Sequence, residues 1–176
     1  MRIIRGLFIT ILILISLALA FAWMQPDHYT VTRSIQIQAT PEQIYPYLAA
    51  PKAWKEWSVW NQRDPAMQIQ FSGPESGTGA VWQWQSRTQG NGSMRFTEAQ
   101  AARLLRYELQ FEGMAAPSTG SLLLEAQTGG TKLTWEMQGN NQGQLLMKLF
   151  TPFMDRMLGP DFAAGLANLK KRVEQK

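Results

Sequence analysis

The chain has 176 residues, 45% hydrophobic and 17% charged, with a formal net charge of +4, one His and no Cys. That is one domain's length, and the absence of thiols excludes disulfides, thiolate metal sites, lipoprotein anchoring and a Cys nucleophile. Arg2 and Arg5 carry half of the net charge, so the part from Asp27 to Lys176 holds only +2 and its charge points to no nucleic-acid role.

Gly6 to Met24 is a run of 19 uncharged residues, mostly apolar. As a helix rising about 1.5 Å per residue it would be roughly 28 Å long, close to the thickness of a bilayer's hydrocarbon layer. Arg2 and Arg5 on the short leading flank predict a cytoplasmic amino terminus and an exported remainder, with Trp23 as an interfacial anchor. A cleavable signal peptide is the rival, because Ala18-Leu19-Ala20 and Ala20-Phe21-Ala22 both have the small-x-small pattern of a cleavage site. An uncleaved anchor leaves a single-pass, membrane-held protein; cleavage leaves a secreted one.

Val31 to Ala39 alternates apolar and polar residues, which predicts a half-buried strand. Thr40, Pro41 and Gln43 then read as N-cap, first helical position and capping box of a short helix to about Leu48. A second short helical stretch is expected from Pro51 with Trp54 and Trp57, followed by a loop at Asn61, Asp64 and Pro65. Strands follow at Met67–Phe71, Ala80–Gln85, Ser93–Thr97, Leu105–Phe111, Ser121–Ala126 and Lys132–Gln138. Their short connections imply antiparallel neighbours, and their one apolar face implies a sheet covered on one side. The cover is the carboxyl-terminal stretch, where an apolar stripe runs from Leu145 to Val173, expected in two or three helical pieces broken at Pro152 and Gly159-Pro160. Asp161 then falls early in the last piece, where a carboxylate suits the helix dipole.

Few residues suit catalysis. The single His, His28, follows directly on the anchor and is expected outside the fold, so His-dependent triads and His/Cys zinc sites cannot be assembled in one chain. Glu108 and Glu136 fall on the outward parity of their strands, and Glu98 and Glu112 at strand ends, which predicts surface roles. Gly73, Gly77 and Gly79 imitate a phosphate loop but lie between strands with no Lys-Ser/Thr pair, and a turn is expected. Arg33 shares the inward parity of Val31 and Ile35, either to hold an anionic ligand head or as a rim Arg paired with a carboxylate. Tyr107 stands on the apolar face with a hydroxyl that needs a partner, from the protein or from a ligand.

This order of elements, with VTRSIQIQAT followed by PEQIYPYL, Trp54, Trp57 and Trp60 before Asp64-Pro65, GTGAVWQW, the GNGSM turn, GGTKLTW and GPDFAAGLANLK, resembles the START/birch-pollen-allergen (SRPBCC) superfamily, and within it the polyketide cyclase/dehydrase and lipid-transport branch. The resemblance spans about residues 29 to 174. It implies an α+β helix-grip fold: a curved antiparallel sheet of about seven strands wrapped on a long carboxyl-terminal helix, here preceded by one transmembrane helix. The chain would divide into a signal-anchor segment, residues 1–26, and a START-like ligand-binding domain, residues 27–176. Between sheet and helix many relatives hold a lipid or other apolar ligand, and no cofactor or metal is implied.

Candidate wall residues for such a cavity are Trp57, Trp82, Trp84, Met94, Phe96, Tyr107, Leu109, Phe111, Trp135, Met137, Met147, Phe150 and Met154, with Arg33 as the polar candidate. From period alone the same side chains simply fill a core. Three functions remain in view, favouring binding over catalysis: a tethered binding module for a hydrophobic small molecule or lipid, an enzyme of the cyclase or dehydrase type, and an envelope interaction module whose cavity is filled.

Overall fold

A computed structural model describes residues 2–175 of the protein; Met1 and Lys176, at the ends of the two expected regions, lie outside the described residues. Helix α1 (Arg2–Met24) is followed by strand β1 (His28–Ile37), helix α2 (Pro41–Ala49), a 3-10 turn (Pro51–Glu56) and helix α3 (Val59–Arg63). Strands β2 (Gln68–Ser72), β3 (Val81–Gln85), β4 (Gly92–Gln100), β5 (Leu104–Phe111), β6 (Ser118–Gln127) and β7 (Gly130–Asn140) come next. Helix α4 (Leu145–Lys148), a 3-10 turn (Thr151–Phe153) and helix α5 (Met154–Glu174) close the chain.

The strands form one antiparallel sheet in the order β1-β7-β6-β5-β4-β3-β2. Six strands are a meander, and β1 adds itself to the free edge of β7, pairing from His28 opposite Asn140 to Ile37 opposite Thr131. His28 is therefore the first residue of the sheet rather than outside it, and it is exposed there. In β4 the pairing steps from Phe96–Tyr107 to Glu98–Arg106, so Thr97 is an extra residue. A bulge of this kind bends its strand. Beyond it Glu98 faces outward to Arg106 at 3.3 Å, and Glu108 and Glu136 also keep the outward parity of their strands.

The concave face grips α5. Phe162, Leu166, Leu169 and Val173 are buried against the sheet and the tryptophan segment. Gly165 matters here, because a Cβ would stand only 3.3 Å from the Trp135 ring and 3.6 Å from Trp57. Polar ties hold the helix in place: Asn168 donates to the Trp57 carbonyl at 3.2 Å, Arg172 meets Glu56 at 2.7 Å, and the Glu174 carboxylate accepts from the Gln38 amide at 2.6 Å.

Three local expectations need correction. Asn61 lies within α3 rather than in a loop, so the loop is confined to the residues before β2. Pro160 sits inside α5 without ending it; the turn it disturbs carries exposed Arg156 and Met157 on the side away from the core. Asp161 consequently lies in the second turn of α5, where it accepts from the Arg63 guanidinium of α3, and Asp155 occupies the first turn.

Helix α1 is continuous and touches the rest of the molecule at α4. Its last turn is pinned: Ala22 is fully buried, Asp27 meets Lys148 at 2.9 Å, and the Asn141 amide donates to the Asp27 carbonyl at 2.7 Å. The Asn141 side chain, also buried, donates to the Thr151 hydroxyl at 2.9 Å and to the Met147 carbonyl at 3.5 Å, tying both helical turns after β7 to the sheet.

Candidate functional site: an aromatic and methionine-lined cavity

Between the concave sheet and the helical cover lies a cavity of about 350 Å³, at the small end of the roughly 300–1,000 Å³ typical of small-molecule sites. Ten of the thirteen candidate wall residues line it: Trp82, Trp84, Met94, Tyr107, Leu109, Phe111, Trp135 and Met137 from the sheet, and Met147 and Met154 from α4 and α5. Alternate positions of neighbouring strands converge because β3, β4, β5 and β7 present one parity to the same side.

Three candidates lie elsewhere. Trp57 is fully buried behind the cavity and its indole donates to the Tyr47 carbonyl at 3.1 Å. In a 3-10 turn residues three apart eclipse each other; Trp54 thus shares that face, packs tilted against Trp57 with ring centres 4.5 Å apart, and is the one that reaches the cavity. Phe96 is fully buried beneath Trp82, edge-on at 5.4 Å, and serves as core. Phe150 points outward because the helix stops at Lys148 and the turn before α5 breaks the spacing that would have carried Met147, Phe150 and Met154 along one face.

Arg33 also departs from the ligand role. It keeps the inward parity, but its guanidinium forms a fork on Asp155 at 2.7 and 3.1 Å and covers Gly159, where a Cβ would collide with it. The Asp155 carboxyl is held below its ordinary range by the Arg33 hydrogen bond, and Arg33 is held above its own. Arg33 thus closes the sheet onto the start of α5, and the cavity lies beyond it.

Sequence parity missed the walls drawn from turns, loops and the sheet edge. Trp60, Ser58 and Asn61 come from the start of α3, Met67, Gln89, Glu112, Met114 and Ala116 from connections, Leu158 and Phe162 from α5, and Tyr29 and Ser118 from β1 and β6. The Trp54-Trp57-Trp60 spacing was the available signal for the helical side.

The buried Tyr107 hydroxyl is a polar wall atom, and it accepts from the Trp135 indole N–H at 2.8 Å. Burial pushes the Tyr107 phenol well above its ordinary pKa, with the Trp135 bond opposing only in part. Gly120 makes room for it, since a Cβ there would overlap the phenol ring. Trp135 in turn stacks on Phe162 with ring centres 4.1 Å apart. Glu112 stands exposed at the rim and accepts from the Asn91 amide at 2.8 Å. Among the described residues no group of three or more His, Asp or Glu is placed to hold a metal ion. The site is an apolar container with few polar groups, among them the buried hydroxyl residues Tyr107 and Ser58 and the exposed Glu112 at its edge.

Solved structures share this architecture at low identity, which establishes fold alone. Protein CV1439 from Chromobacterium violaceum superposes with a TM-score of 0.60 at 14% identity, over 82% of this chain and 96% of its own. The Aha1 dimer from Colwellia psychrerythraea gives 0.59 at 20%, over 82% and 96%. The di-domain ARO/CYC protein BexL from the BE-7585A biosynthetic pathway gives 0.60 at 15%, over 84% of this chain and 50% of its own. No curated protein matches the sequence. The family described as polyketide cyclase/dehydrase and lipid transport matches residues 28–174, from the first residue of β1 to the last of α5, and the chain belongs to that family.

Proposed function

We propose that the protein is a membrane-tethered binding module that takes one lipid-like or other apolar small molecule into the cavity between sheet and α5, with the domain on the exported side. The observation that carries this reading is the wall itself: tryptophans and methionines from three strands and four helical segments surround an open volume. Aromatic and aliphatic walls with few polar groups suit apolar ligands, and methionines adapt to ligands of differing shape. The Tyr107 phenol, raised above its ordinary range, stays protonated at neutral pH and is fitted to hydrogen bonding rather than to acid–base work. Residues Ile3–Met24 are long and apolar enough to cross a membrane, which would keep the cavity beside the phase where such ligands partition.

Mass spectrometry of organic molecules that co-purify with the full chain, gently extracted from its own membrane, tests the reading. The expected result is an apolar species lost in Trp84→Ala but retained in a surface variant such as Gln83→Ala. A folded protein that carries nothing and takes up no lipophilic dye would refute it. A cyclase-type activity is the second reading, favoured by the Tyr107–Trp135 pair facing the cavity; it requires turnover that Tyr107→Phe abolishes without loss of binding.

A further inference from the structure

The helical wall that closes the cavity carries large apolar side chains on both faces, with Asp155 and Arg156 the exposed charges among them. Met147, Met154 and Leu158 line the cavity, while on the outside Leu146, Phe150, Phe153 and Met157 are 66%, 48%, 51% and 57% exposed, with Leu145 at 39%. A helix with water on one side carries polar residues there, as the later turns of α5 do with Lys171 and Glu174. Clustered exposed apolar side chains mark a surface that meets another apolar phase.

Its position identifies that phase. The lip begins at α4, the element that α1 touches. Ala22, Asp27–Lys148 and the Asn141–Asp27 bond fix α4 beside the last turn of the apolar helix Ile3–Met24. Exposed Trp23 and Met24 stand at that same turn, so a bilayer crossed by α1 has its boundary at the level of the lip. Arg156, exposed between Phe153 and Met157, suits contact with lipid phosphate.

Resting on the tethered-binding reading, we propose that the segment Leu145 to Met157 inserts into the interfacial layer of the bilayer that α1 spans, so that ligand passes between lipid and cavity through the methionine-lined wall. The chain has no Cys, so single-Cys variants carry one label each. Phe150→Cys, Met157→Cys, Leu12→Cys and Thr128→Cys are labelled with NBD in the full chain and reconstituted into phosphatidylcholine/phosphatidylglycerol vesicles containing doxyl lipids. Thr128 lies in the β6–β7 turn, at the end of β7 that pairs with Ile37, roughly 30 Å along β1 from its start.

Labels at 150 and 157 are expected to shift to the blue and lose most of their fluorescence to shallow doxyl groups, the label at 12 to deep ones, and the label at 128 to neither. Quenching at 12 with positions 150 and 157 behaving like 128 overturns the lip while leaving the tether standing. Absence of quenching at 12 removes the tether and the lip together. Labels at 150 and 157 that are shielded yet untouched by doxyl lipid, and that self-quench as protein density rises, assign the lip to a second copy of the chain and overturn the proposal.

Discussion

The two ends of the cavity are built from the same kind of inward-facing residue and finish differently. At the closed end Trp54, Trp57, Trp135 and Phe162 interlock, with ring centres 4.1 to 5.6 Å apart, and Gly165 lets α5 sit directly on them. At the other end Met147, on the short helix α4, and Met154, the first residue of α5, face an open space on either side of a 3-10 turn. An apolar face therefore becomes core or container according to how closely its cover can approach. A glycine brings the helix down at one end, and a broken helix holds it off at the other.

Trp135→Ala cuts the closed end most deeply. Loss of a fully buried indole with its stacking partner and its hydrogen bond should cost about 3–5 kcal/mol, measured by chemical denaturation of the detergent-solubilised chain; a cost below 1 kcal/mol would mean that this end is as loose as the other. Tyr107→Phe leaves the buried Trp135 N–H without its acceptor and should cost about 1–3 kcal/mol, unless a bound ligand or water takes over the bond. Leu at both 147 and 154 should cost less than about 1.5 kcal/mol because volume is kept, yet narrow the range of lipophilic dyes taken up. An unchanged range would show that methionine flexibility plays no part at the open end.

The smallest effect concerns the Arg33–Asp155 fork that fastens the sheet to the first turn of α5. Asp155 titrates lower in the folded chain than in the unfolded one. Its contribution to stability is therefore complete above the unfolded carboxylate value and disappears as pH falls through the folded one, in the window below about pH 4. Arg33→Met should remove part of the acid-induced loss of stability seen by thermal melting. A share remains from Glu174, which is held low by the Gln38 amide and Lys170.

Period two in the strands was strong enough to read because each has a single covered face, so Trp82, Met94, Tyr107 and Trp135 could be placed inside from sequence alone. The helical cover was less legible. Pro160 bends no rule of sequence when it is taken as a breaker, but its turn faces away from the core and the helix tolerates it. Phe150 and Trp57 were misplaced for one reason: both lie at short 3-10 or interrupted turns, where the angular step between residues departs from the one assumed. Residues contributed by connections, such as Gln89 and Met114, have no periodicity to betray them, and Arg33 could not be assigned until its partner 122 positions away was in view.

Only Gln25, Pro26 and Asp27 separate α1 from the first strand, and Asp27 is itself fastened to Lys148 and Asn141. Three residues span at most about 11 Å, so the domain has no leash. With α1 in a bilayer it is a fixed fitting, set at one height and one tilt, unable to swing out and ferry cargo across an aqueous gap. Under the proposed function, whatever receives the ligand must come to the domain or share its membrane.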